Sequence, residues 1–517
     1  MYIGSYVYIP WWIDGPVGFI VTVVALLYMY TTYKHGYFRR RGIKCDTPVP
    51  FMGHLKQLFA LGSHEYDRQC AKRYGGVWGC FYGNYPVVMV GDPDRVKEIL
   101  ITQFSKFYNR SDTVQVSKVW ENSVNNAKGV KWKYLRAILQ PTFSSGKIKS
   151  MRPILKRCLD TMIECLDERL EKSEDQVIDM GERFKTLTMD VICSTAFGIE
   201  VDSQRHPDDP FVKHASNILD GSITRTVLML NFLFPDIQPL IKFLSKDFND
   251  PDAMQFLDKT VRKAIQERRK NNSGEFNDLL KLMMDTQTDS PDNGVSSDKS
   301  FEQMKQSGMS ENDITINGII FLAAGHETTA ALLGWLAYVL AQHPEVQDRL
   351  VEEVDALDGR HTTDNITYDS ILKMDFLEMI MQETLRLYPP VGRFNRQPTR
   401  DITINGFHFE KGMDITFSTN AIHRNPKYWP EPERFDPERF SPENKQKIYP
   451  YSYIPFGGGP RNCIGMKLAL VEAKMALVRL LQNFRLERSD RLKVPPVVEN
   501  AGGLLRPRDL YIKLVRR

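Results

Sequence analysis

The chain has 517 residues, and its 68 basic and 64 acidic side chains leave a formal net charge of +4. This near balance excludes the strongly basic composition that is typical of nucleic-acid-binding proteins. The seven cysteines form an odd and scattered set, which excludes a simple disulfide framework and favours a reducing compartment.

An apolar, nearly uncharged run covers residues 15–32 and is followed by Lys34 and by the basic triplet Arg39, Arg40 and Arg41. About 18 to 20 such residues span a bilayer, and a basic cluster after the span stays on the cytosolic side. A cleaved signal peptide is the weaker alternative, because it needs a basic stretch before the apolar core and a small-residue cleavage site after it. We therefore expect a transmembrane anchor with a lumenal N-terminus and a cytosolic body.

The rest of the chain reads as one unit. We assign residues 1–46 to the anchor and its basic linker, and residues 47–517 to a single catalytic domain, because no linker divides them. Alternating residues in Val77–Tyr82 and Pro86–Val90 predict a β-hairpin around a Gly-Asn turn. Most of the later sequence has helical spacing, so the architecture is expected to be mainly α with a small sheet.

Two segments differ from their surroundings in composition. Residues 286–310 are rich in Ser, Asp, Asn and Gly, which predicts a flexible insert. Residues 227–243 are apolar with few charges, and two interpretations are equally open. The segment is either a membrane-dipping region that admits lipophilic substrates, or an ordinary core helix and loop.

Polar residues interrupt a long apolar helical run between about Ile314 and Leu340. Gly325 weakens the helix there, so that Glu327 and Thr328 can supply a carboxylate and a hydroxyl to a widened groove that holds water and relays protons. The alternative is a helix with two surface-facing polar residues. The neighbouring His326 is interpreted as a filler residue of the helix.

Two further pairs of side chains have helical spacing. Glu383 and Arg386 lie three residues apart. With Arg439 they can form a buried Arg-Glu-Arg cluster that holds the following loop. The alternative is a solvated surface pair, which is what such a pair usually forms when it stands alone. The text Pro-Glu-Arg-Phe occurs twice, so Arg434 in the first copy is the alternate for Arg439. Trp132 and Arg136 lie four apart and can bind a carboxylate together.

A single cysteine, Cys463, follows a glycine-rich turn and precedes a helical pattern. The helix N-terminus favours a thiolate there, and glycines 457–459 permit backbone angles that let amide groups point at the sulfur. The spacing therefore predicts an axial haem ligand. A buried structural cysteine is the simple alternative. Two other roles are disfavoured, because the sequence offers no partner ligands for a zinc site, and a cysteine nucleophile would need a base, for which His423 is only a guess.

These four motifs, in this order, resemble the cytochrome P-450 superfamily, and the resemblance covers residues 47–517. It implies that fold, mainly α with a smaller β-rich region, and haem b as cofactor, with Cys463 as the proximal ligand. It also implies that Glu383, Arg386 and Arg439 form the structural cluster. The remaining implied positions are the propionate binders Trp132, Arg136, Arg396 and Arg461, the haem-contacting Phe456 and Gly465, and the oxygen-groove residues Ala324, Gly325, Glu327 and Thr328.

Within the superfamily the chain looks most like the animal microsomal drug and steroid hydroxylases, which implies an endoplasmic reticulum enzyme. That group also contains thromboxane synthase, an isomerase that lacks the groove threonine, whereas this chain keeps Thr328. The residues therefore favour a monooxygenase acting on steroid, fatty-acid or xenobiotic substrates. A lipid-peroxide isomerase or dehydratase and a non-catalytic haem-binding protein remain the alternatives.

The resemblance also bears on partners and substrate contacts. No flavin or nicotinamide site is recognisable, so electrons are expected from NADPH through NADPH–cytochrome P-450 reductase, with cytochrome b5 as an optional second donor. Five lysines are open to two interpretations: they form a basic docking patch for the reductase, or they are scattered solubilising charges. These are Lys131, Lys133, Lys427, Lys467 and Lys474. The expected pocket comprises the loop before Trp132, Phe321 with Ala324, and the segments 391–394 and 502–505.

Overall fold

The computed structural model describes residues 11–111, 120–220, 229, 232–237, 251–270, 278–286, 300–357, 366–501 and 503–517. Most of the polar stretch 286–310 and most of the apolar stretch 227–243 lie outside these residues. The two predictions for those stretches therefore stay predictions, except where 232–237 is described below.

Helices make up most of the described chain. In chain order they are α1 (Trp11–Thr32), α2 (Tyr37–Arg40), α3 (Leu55–Tyr74), α4 (Pro93–Lys97), α5 (Gly129–Leu139), α6 (Ser145–Ser150), α7 (Arg152–Lys172), α8 (Met180–Phe197), α9 (Pro210–Asp220), α10 (Pro251–Lys270), α11 (Leu279–Met284), α12 (Phe301–Ser307), α13 (Glu311–Gln342), α14 (Pro344–Asp355), α15 (Tyr368–Leu372), α16 (Asp375–Leu387), α17 (Thr419–His423), α18 (Pro442–Lys445) and α19 (Met466–Asn483). Short 3₁₀ turns include Pro235–Ile237, Pro437–Phe440 and Gly459–Arg461.

The strands form small sheets. They are β1 (Val77–Tyr82), β2 (Tyr85–Val90), β3 (Val177–Asp179), β4 (Arg393–Arg396), β5 (Ile402–Ile404), β6 (Phe407–Phe409), β7 (Ile415–Ser418), β8 (Phe484–Arg488), β9 (Val498–Ala501), β10 (Leu504–Pro507) and β11 (Tyr511–Arg516). The largest described sheet has the order β1-β2-β7-β4, a second has the order β3-β11-β8, and two hairpins pair β5 with β6 and β9 with β10. The prediction of a mainly helical fold with a small sheet is confirmed.

The predicted hairpin is confirmed in both strands and turn. β1 and β2 pair antiparallel from Val77 opposite Val90 to Tyr82 opposite Tyr85. Gly83 has φ +58°, the left-handed conformation that a two-residue hairpin turn requires and that glycine adopts without steric cost. Tyr85 joins the second strand one residue earlier than the alternation predicted.

The long apolar run forms the central helix, α13, which is unbroken from Glu311 to Gln342 and is buried along most of its length. It packs against α8 on one side and against α10, α16, α19 and the strand β10 around it. Its N-cap is Ser310, whose hydroxyl accepts a hydrogen bond from the Asp313 amide at 3.0 Å. A helix that is apolar all round is expected in the centre of a core, which is where α13 lies.

The predicted anchor run is helical as α1, and it differs from α13 in exposure. The stretch Pro16–Arg40 is long and apolar enough to cross a membrane, as is α13, but it is almost unburied. Exposed apolar side chains such as Phe19 and Ile20 cover α1. Burial therefore identifies α13 as a core helix and leaves α1 as the candidate membrane span.

Candidate active site

The cysteine loop is fixed by its backbone. Gly457 and Gly459 have φ of +74° and +72°, and the Cys463 amide donates to the Phe456 carbonyl at 2.9 Å. A Cβ on Gly459 would overlap the carbonyl oxygen of Leu100. Glycine is therefore required at 459 both for its backbone angles and for the close approach of the neighbouring chain.

Cys463 precedes α19, which begins at Met466. Its side chain is accessible, although protein surrounds it closely enough that burial raises the pKa of the thiol; the amides of Gly465 and Met466 and the guanidinium groups of Arg136 and Arg110 act to lower that pKa. An accessible yet desolvated sulfur faces a recess of the protein. The amide donors follow the cysteine in the chain, at the start of α19.

Four arginines gather around this recess: Arg110, Arg136, Arg396 and Arg461. Two of them hold the loop: Arg136 donates to the carbonyl and side-chain oxygens of Asn462, both at 2.9 Å, and Arg396 donates to the Arg461 carbonyl at 3.2 Å. Arg461 lies 4.9 Å from the centre of the Trp132 ring, a cation–π distance. Its guanidinium donates to main-chain carbonyls of the segment before α5.

The arginines lack negative partners among the described residues, and their pKa values reflect this. Burial, together with Arg110, Arg396 and Arg136, lowers the pKa of Arg461 to about 7. Burial lowers the pKa of Arg110 to about 10 and that of Arg396 well below its usual value. The Nε atoms of Arg110, Arg396 and Arg461 are buried without a hydrogen-bond partner. Such a cluster of buried and half-buried cations without negative partners calls for a dianionic group, and haem carries two propionates.

The central helix contributes an open face to the same region. Ala324 is exposed although its neighbours on α13 are mostly buried, and the Thr328 hydroxyl donates to the Ala324 carbonyl at 2.7 Å. A threonine that bonds the carbonyl four residues earlier loosens the helix locally. The region is linked to the cysteine loop through Phe143, whose ring lies 5.4 Å from that of Phe321 and 3.9 Å from a Cβ position on Gly465.

Glu327 is buried in an ion pair. Arg506 of β10 donates to its carboxylate at 2.7 Å and to the half-exposed Glu499 at 2.8 Å, so a chain of charges runs from α13 toward the surface. His326 is buried beside it, with Nδ1 3.7 Å from the Glu327 carboxylate, and burial lowers its pKa. The Glu327 carboxylate, which the sequence predicts to serve the groove, is thus paired with an arginine from a distant strand.

Gly325 lies against a neighbouring helix. A Cβ at this position would approach Cδ1 of Ile192 on α8 to 2.8 Å, and the helix continues through it without a break. The role predicted for Gly325, a weak point of the helix at the groove, is replaced by a packing role. Its missing side chain lets α13 and α8 approach closely.

The Glu383 and Arg386 pair of α16 is completely buried. Arg386 makes two parallel hydrogen bonds to Glu383, at 2.6 and 2.8 Å, and also donates to the carbonyls of His423, Pro432 and Arg434. The surface-pair alternative is thus excluded. The pair fixes the loop that leads to the cysteine.

The two Pro-Glu-Arg-Phe copies have different tasks. The Arg439 side chain is 12% exposed and lies 3.5 Å from Glu383, whereas that of Arg434 is 64% exposed and pairs with Glu431. The structure therefore brings Arg439 into the cluster, and Arg434 contributes only its carbonyl.

Known proteins are similar to this chain over almost its whole length. The family model for cytochrome P-450 matches residues 43–514. Cytochrome P-450 3A6 of Oryctolagus cuniculus is 38% identical over 495 residues, which cover 96% of this chain and 95% of the relative. Cytochrome P-450 3A9 of Rattus norvegicus is 36% identical over 501 residues and 3A13 of Mus musculus is 37% identical over 499, each covering 96% of both chains.

The chain is a cytochrome P-450. It is therefore a haem-dependent monooxygenase, and it resembles the drug and steroid hydroxylases of that family. The family resemblance inferred from the four motifs is confirmed, as is the class of enzyme.

The lysines of this cytochrome P-450 fall into two groups. Lys133, Lys427 and Lys467 are exposed. Lys131 forms an ion pair with Asp313 at 3.0 Å and Lys474 one with Glu378 at 2.8 Å, and the two lysine side chains are only 12% and 3% exposed. Lys131 and Lys474 are therefore withdrawn from the expected docking patch, because their charges are satisfied within the protein.

The segments predicted to line the substrate pocket meet in part. Val391 forms a bridge with Leu504, and the Leu505 amide donates to the Pro390 carbonyl at 2.8 Å. Gly502 and residues 112–119 before Trp132 lie outside the described residues. The structure thus brings two of the chain segments together and leaves the others as predictions.

Sequence reasoning missed three side chains of the site. Arg110 and Arg506 belong to no recognisable spacing pattern, and no sequence signal would have found them. His423 was named only as a guessed base, but it is buried between the Arg386 carbonyl and the Ile454 amide, at 3.1 and 2.8 Å. These residues are recognised only by what they contact.

Proposed function

We propose that this cytochrome P-450 inserts one oxygen atom of dioxygen into lipophilic substrates of the steroid, fatty-acid or xenobiotic type. The observation that carries the proposal is the accessible thiol of Cys463 beside four arginines, two buried and two half-buried, that have no carboxylate partner among the described residues. Haem bound through a thiolate supplies dioxygen-activating chemistry, since the thiolate favours O–O cleavage. The residues present fit that group.

The roles of the surrounding side chains follow from their positions. We infer that Cys463 ligates the iron, and that Trp132, Arg136, Arg396 and Arg461, joined by Arg110, hold the propionates. Two carboxylates among these cations would offset the burial that, as the first cause, lowers the pKa values of the arginines. Phe456 and Gly465 would contact the macrocycle from the loop and from the start of α19.

Protons are proposed to reach the groove through the chain's own side chains. The Thr328 hydroxyl can hold a water beside Ala324, and Glu327 lies on the adjacent position of α13. Arg506 keeps the Glu327 carboxylate oriented and connects it to Glu499 near the surface. In this arrangement Glu327 and Thr328 hold and pass protons, and Arg506 positions Glu327.

Electrons are proposed to come from NADPH through NADPH–cytochrome P-450 reductase, with cytochrome b5 as an optional second donor. A groove beside the cysteine loop supports this proposal; it is lined by Trp132, Lys133, Arg136, Pro460 and Asn462 among others. The exposed Lys133 gives the groove a positive rim, which suits an acidic partner. We place the enzyme in the endoplasmic reticulum membrane, with residues 1–46 as anchor and residues 47–517 as one cytosolic catalytic domain.

Reconstitution tests the activity. Purified full-length protein with reductase and NADPH is given a panel of steroids, fatty acids and drugs, and NADPH consumption is compared with hydroxylated product. We expect product that requires both NADPH and dioxygen. Rearranged lipid peroxide formed without reductase would instead establish the isomerase, and haem binding with no turnover of either kind would establish a carrier.

The ligand is tested by spectroscopy. The reduced carbon monoxide complex of the wild type is expected to show a thiolate-type spectrum, which Cys463→Ala should abolish. Cys158→Ala is the matched control, because Cys158 is buried on α7 and should leave that spectrum unchanged. A thiolate-type spectrum in Cys463→Ala would rule out the assignment.

A further inference from the structure

The last turn of the anchor helix is bound to a short segment far along the chain. The hydroxyls of Tyr30 and Tyr33 donate to the Asp236 carboxylate at 2.9 and 3.1 Å, and Lys34 forms an ion pair with it at 3.0 Å. The ring of Phe234 stacks on Tyr30 with 5.9 Å between the ring centres. A single carboxylate thus receives three donors, one from the last turn of α1 and two from the residues that follow it.

The hairpin turn between β1 and β2 completes this contact. The Asn84 side chain donates to the Tyr30 carbonyl at 3.0 Å, and the Asn84 amide donates to the Phe232 carbonyl at 2.9 Å. A Cβ on Gly83 would overlap that same carbonyl. The turn is therefore wedged between the anchor helix and segment 232–237.

We propose that Asp236 locks the catalytic domain onto the end of the membrane-spanning anchor helix, so that the domain rests on the bilayer surface in one fixed orientation. The residues Tyr30, Tyr33, Lys34, Asn84 and Asp236 are called the anchor junction. The proposal rests on the membrane anchoring proposed above. The surface on which the junction orients the protein is the phospholipid bilayer.

The charges of Lys34 and Asp236, and their position at the end of the apolar span, support the proposed lock. The apolar part of α1 ends at Thr32, so Lys34 lies where the span leaves the hydrocarbon, and lysine and tyrosine are favoured at that interface. Burial would raise the pKa of Asp236, but hydrogen bonds from Lys34 and Tyr30 outweigh it, and the pKa is lowered. The carboxylate is thus ionised at neutral pH, as an ion pair requires.

Exposed apolar side chains also occur from Phe51 into α3, a helix that packs against β1 of the hairpin. Phe51, Phe59 and Leu61 are 37%, 67% and 39% exposed, and Gly53, two residues after Phe51, forms a bridge with Tyr82 beside the turn. Apolar side chains grouped next to a membrane span are expected to enter the headgroup boundary. The locked orientation would hold this surface against the bilayer.

The test uses the full-length, haem-loaded enzyme in phosphatidylcholine vesicles. A photoreactive benzoylphenylalanine replaces Phe59, and in a separate protein it replaces Leu372, which is 51% exposed on α15, a helix that packs against α19. Adducts with lipid are counted by mass spectrometry, and the tilt of the haem plane is measured by linear dichroism on supported bilayers. We expect lipid adducts at position 59 to exceed those at 372 several-fold.

Asp236→Ala is compared with Asp175→Ala, which removes a surface ion pair with Arg491. Asp236→Ala should lower the lipid adducts at position 59 several-fold and shift or broaden the haem tilt, whereas Asp175→Ala should change neither. Identical adducts and tilt in the two variants would overturn the lock. Wild-type protein that fails to bind vesicles would overturn the anchoring as well, while the carbon monoxide spectrum tests the haem site separately.

Discussion

Individual side chains decide whether the cysteine loop can form, and Gly459 is the most constrained of them. Gly459→Ala combines a left-handed backbone with overlap on the Leu100 carbonyl. Gly406 is the matched control, because it has φ +74° and no atom lies within 4 Å of the position that an added methyl group would take. We expect Gly406→Ala to cost about 1–2 kcal/mol of unfolding free energy, and Gly459→Ala to cost clearly more.

Chemical denaturation measures both free energies, and the fraction of protein with the thiolate-type carbon monoxide spectrum shows where the damage lies. Gly459→Ala should lower that fraction, whereas Gly406→Ala should leave it unchanged. Equal costs for the two substitutions would mean that the contact with Leu100 imposes no constraint.

His423 predicts a pH dependence. Burial, together with the charge of Arg386, lowers its pKa to about 3. Nδ1–H donates to the Arg386 carbonyl, so Nε2 accepts from the Ile454 amide and carries no proton in the folded protein. The unfolded chain binds this proton near its ordinary pKa of about 6.5, so unfolding takes up a proton below that pH. The stability that the neutral ring provides is complete above about pH 6.5 and is lost as pH falls toward about 3.

Thermal unfolding between pH 7 and pH 4 tests this prediction against His423→Gln, whose side chain does not titrate. We expect the wild type to lose more stability than the variant over that interval. Parallel pH profiles would show that His423 is not responsible. The histidine would then be a structural residue without pH linkage.

At the scale of elements, Arg439 and Arg434 separate the two Pro-Glu-Arg-Phe copies. Arg439→Ala removes a cation 3.5 Å from the buried Glu383 and should lower the unfolding free energy by about 1.5–3 kcal/mol. Arg434→Ala removes an exposed side chain and should stay within about 0.5 kcal/mol. Denaturant unfolding of both variants checks this, and the reverse order would reassign the cluster.

The packing of α13 against α8 is tested at Gly325. Gly325→Ala places a methyl group 2.8 Å from Ile192 and should cost about 1–3 kcal/mol through overpacking. Ile192→Ala makes room for that methyl group, so the double variant should recover part of the loss. A double-mutant cycle measures the coupling. Additive effects would mean that the two helices do not meet through this pair.

For the whole molecule, the anchor and the catalytic domain are expected to be separable. A chain that begins at Tyr37 lacks α1 but keeps the buried Phe38, which packs on Phe81 with ring centres 4.7 Å apart. It should retain the carbon monoxide spectrum and bind vesicles more weakly than the full chain. Sedimentation with vesicles measures the second property, and undiminished binding would place the main membrane contact in the catalytic domain.

Local chemistry explains what could be predicted. The glycine-cysteine turn, the Glu383 and Arg386 pair, the hairpin and the apolar runs each lie within a few neighbouring residues, so spacing alone expresses their geometry. Arg110, Arg506 and His423 act across long separations in the chain. Their partners are a recess, a helix and a loop that meet only after folding, and spacing carries no trace of such contacts.

The sequence by itself determined the family and the mainly helical architecture, and it predicts Cys463 as the axial ligand, because these depend on short-range patterns. The tertiary structure alone decided which charges are satisfied. It placed Lys131 and Lys474 in largely buried ion pairs, tied Glu327 to Arg506, and left the arginines around Cys463 without carboxylate partners among the described residues. The free energy of a charge depends on its solvation and on its neighbours in space, and folding sets both.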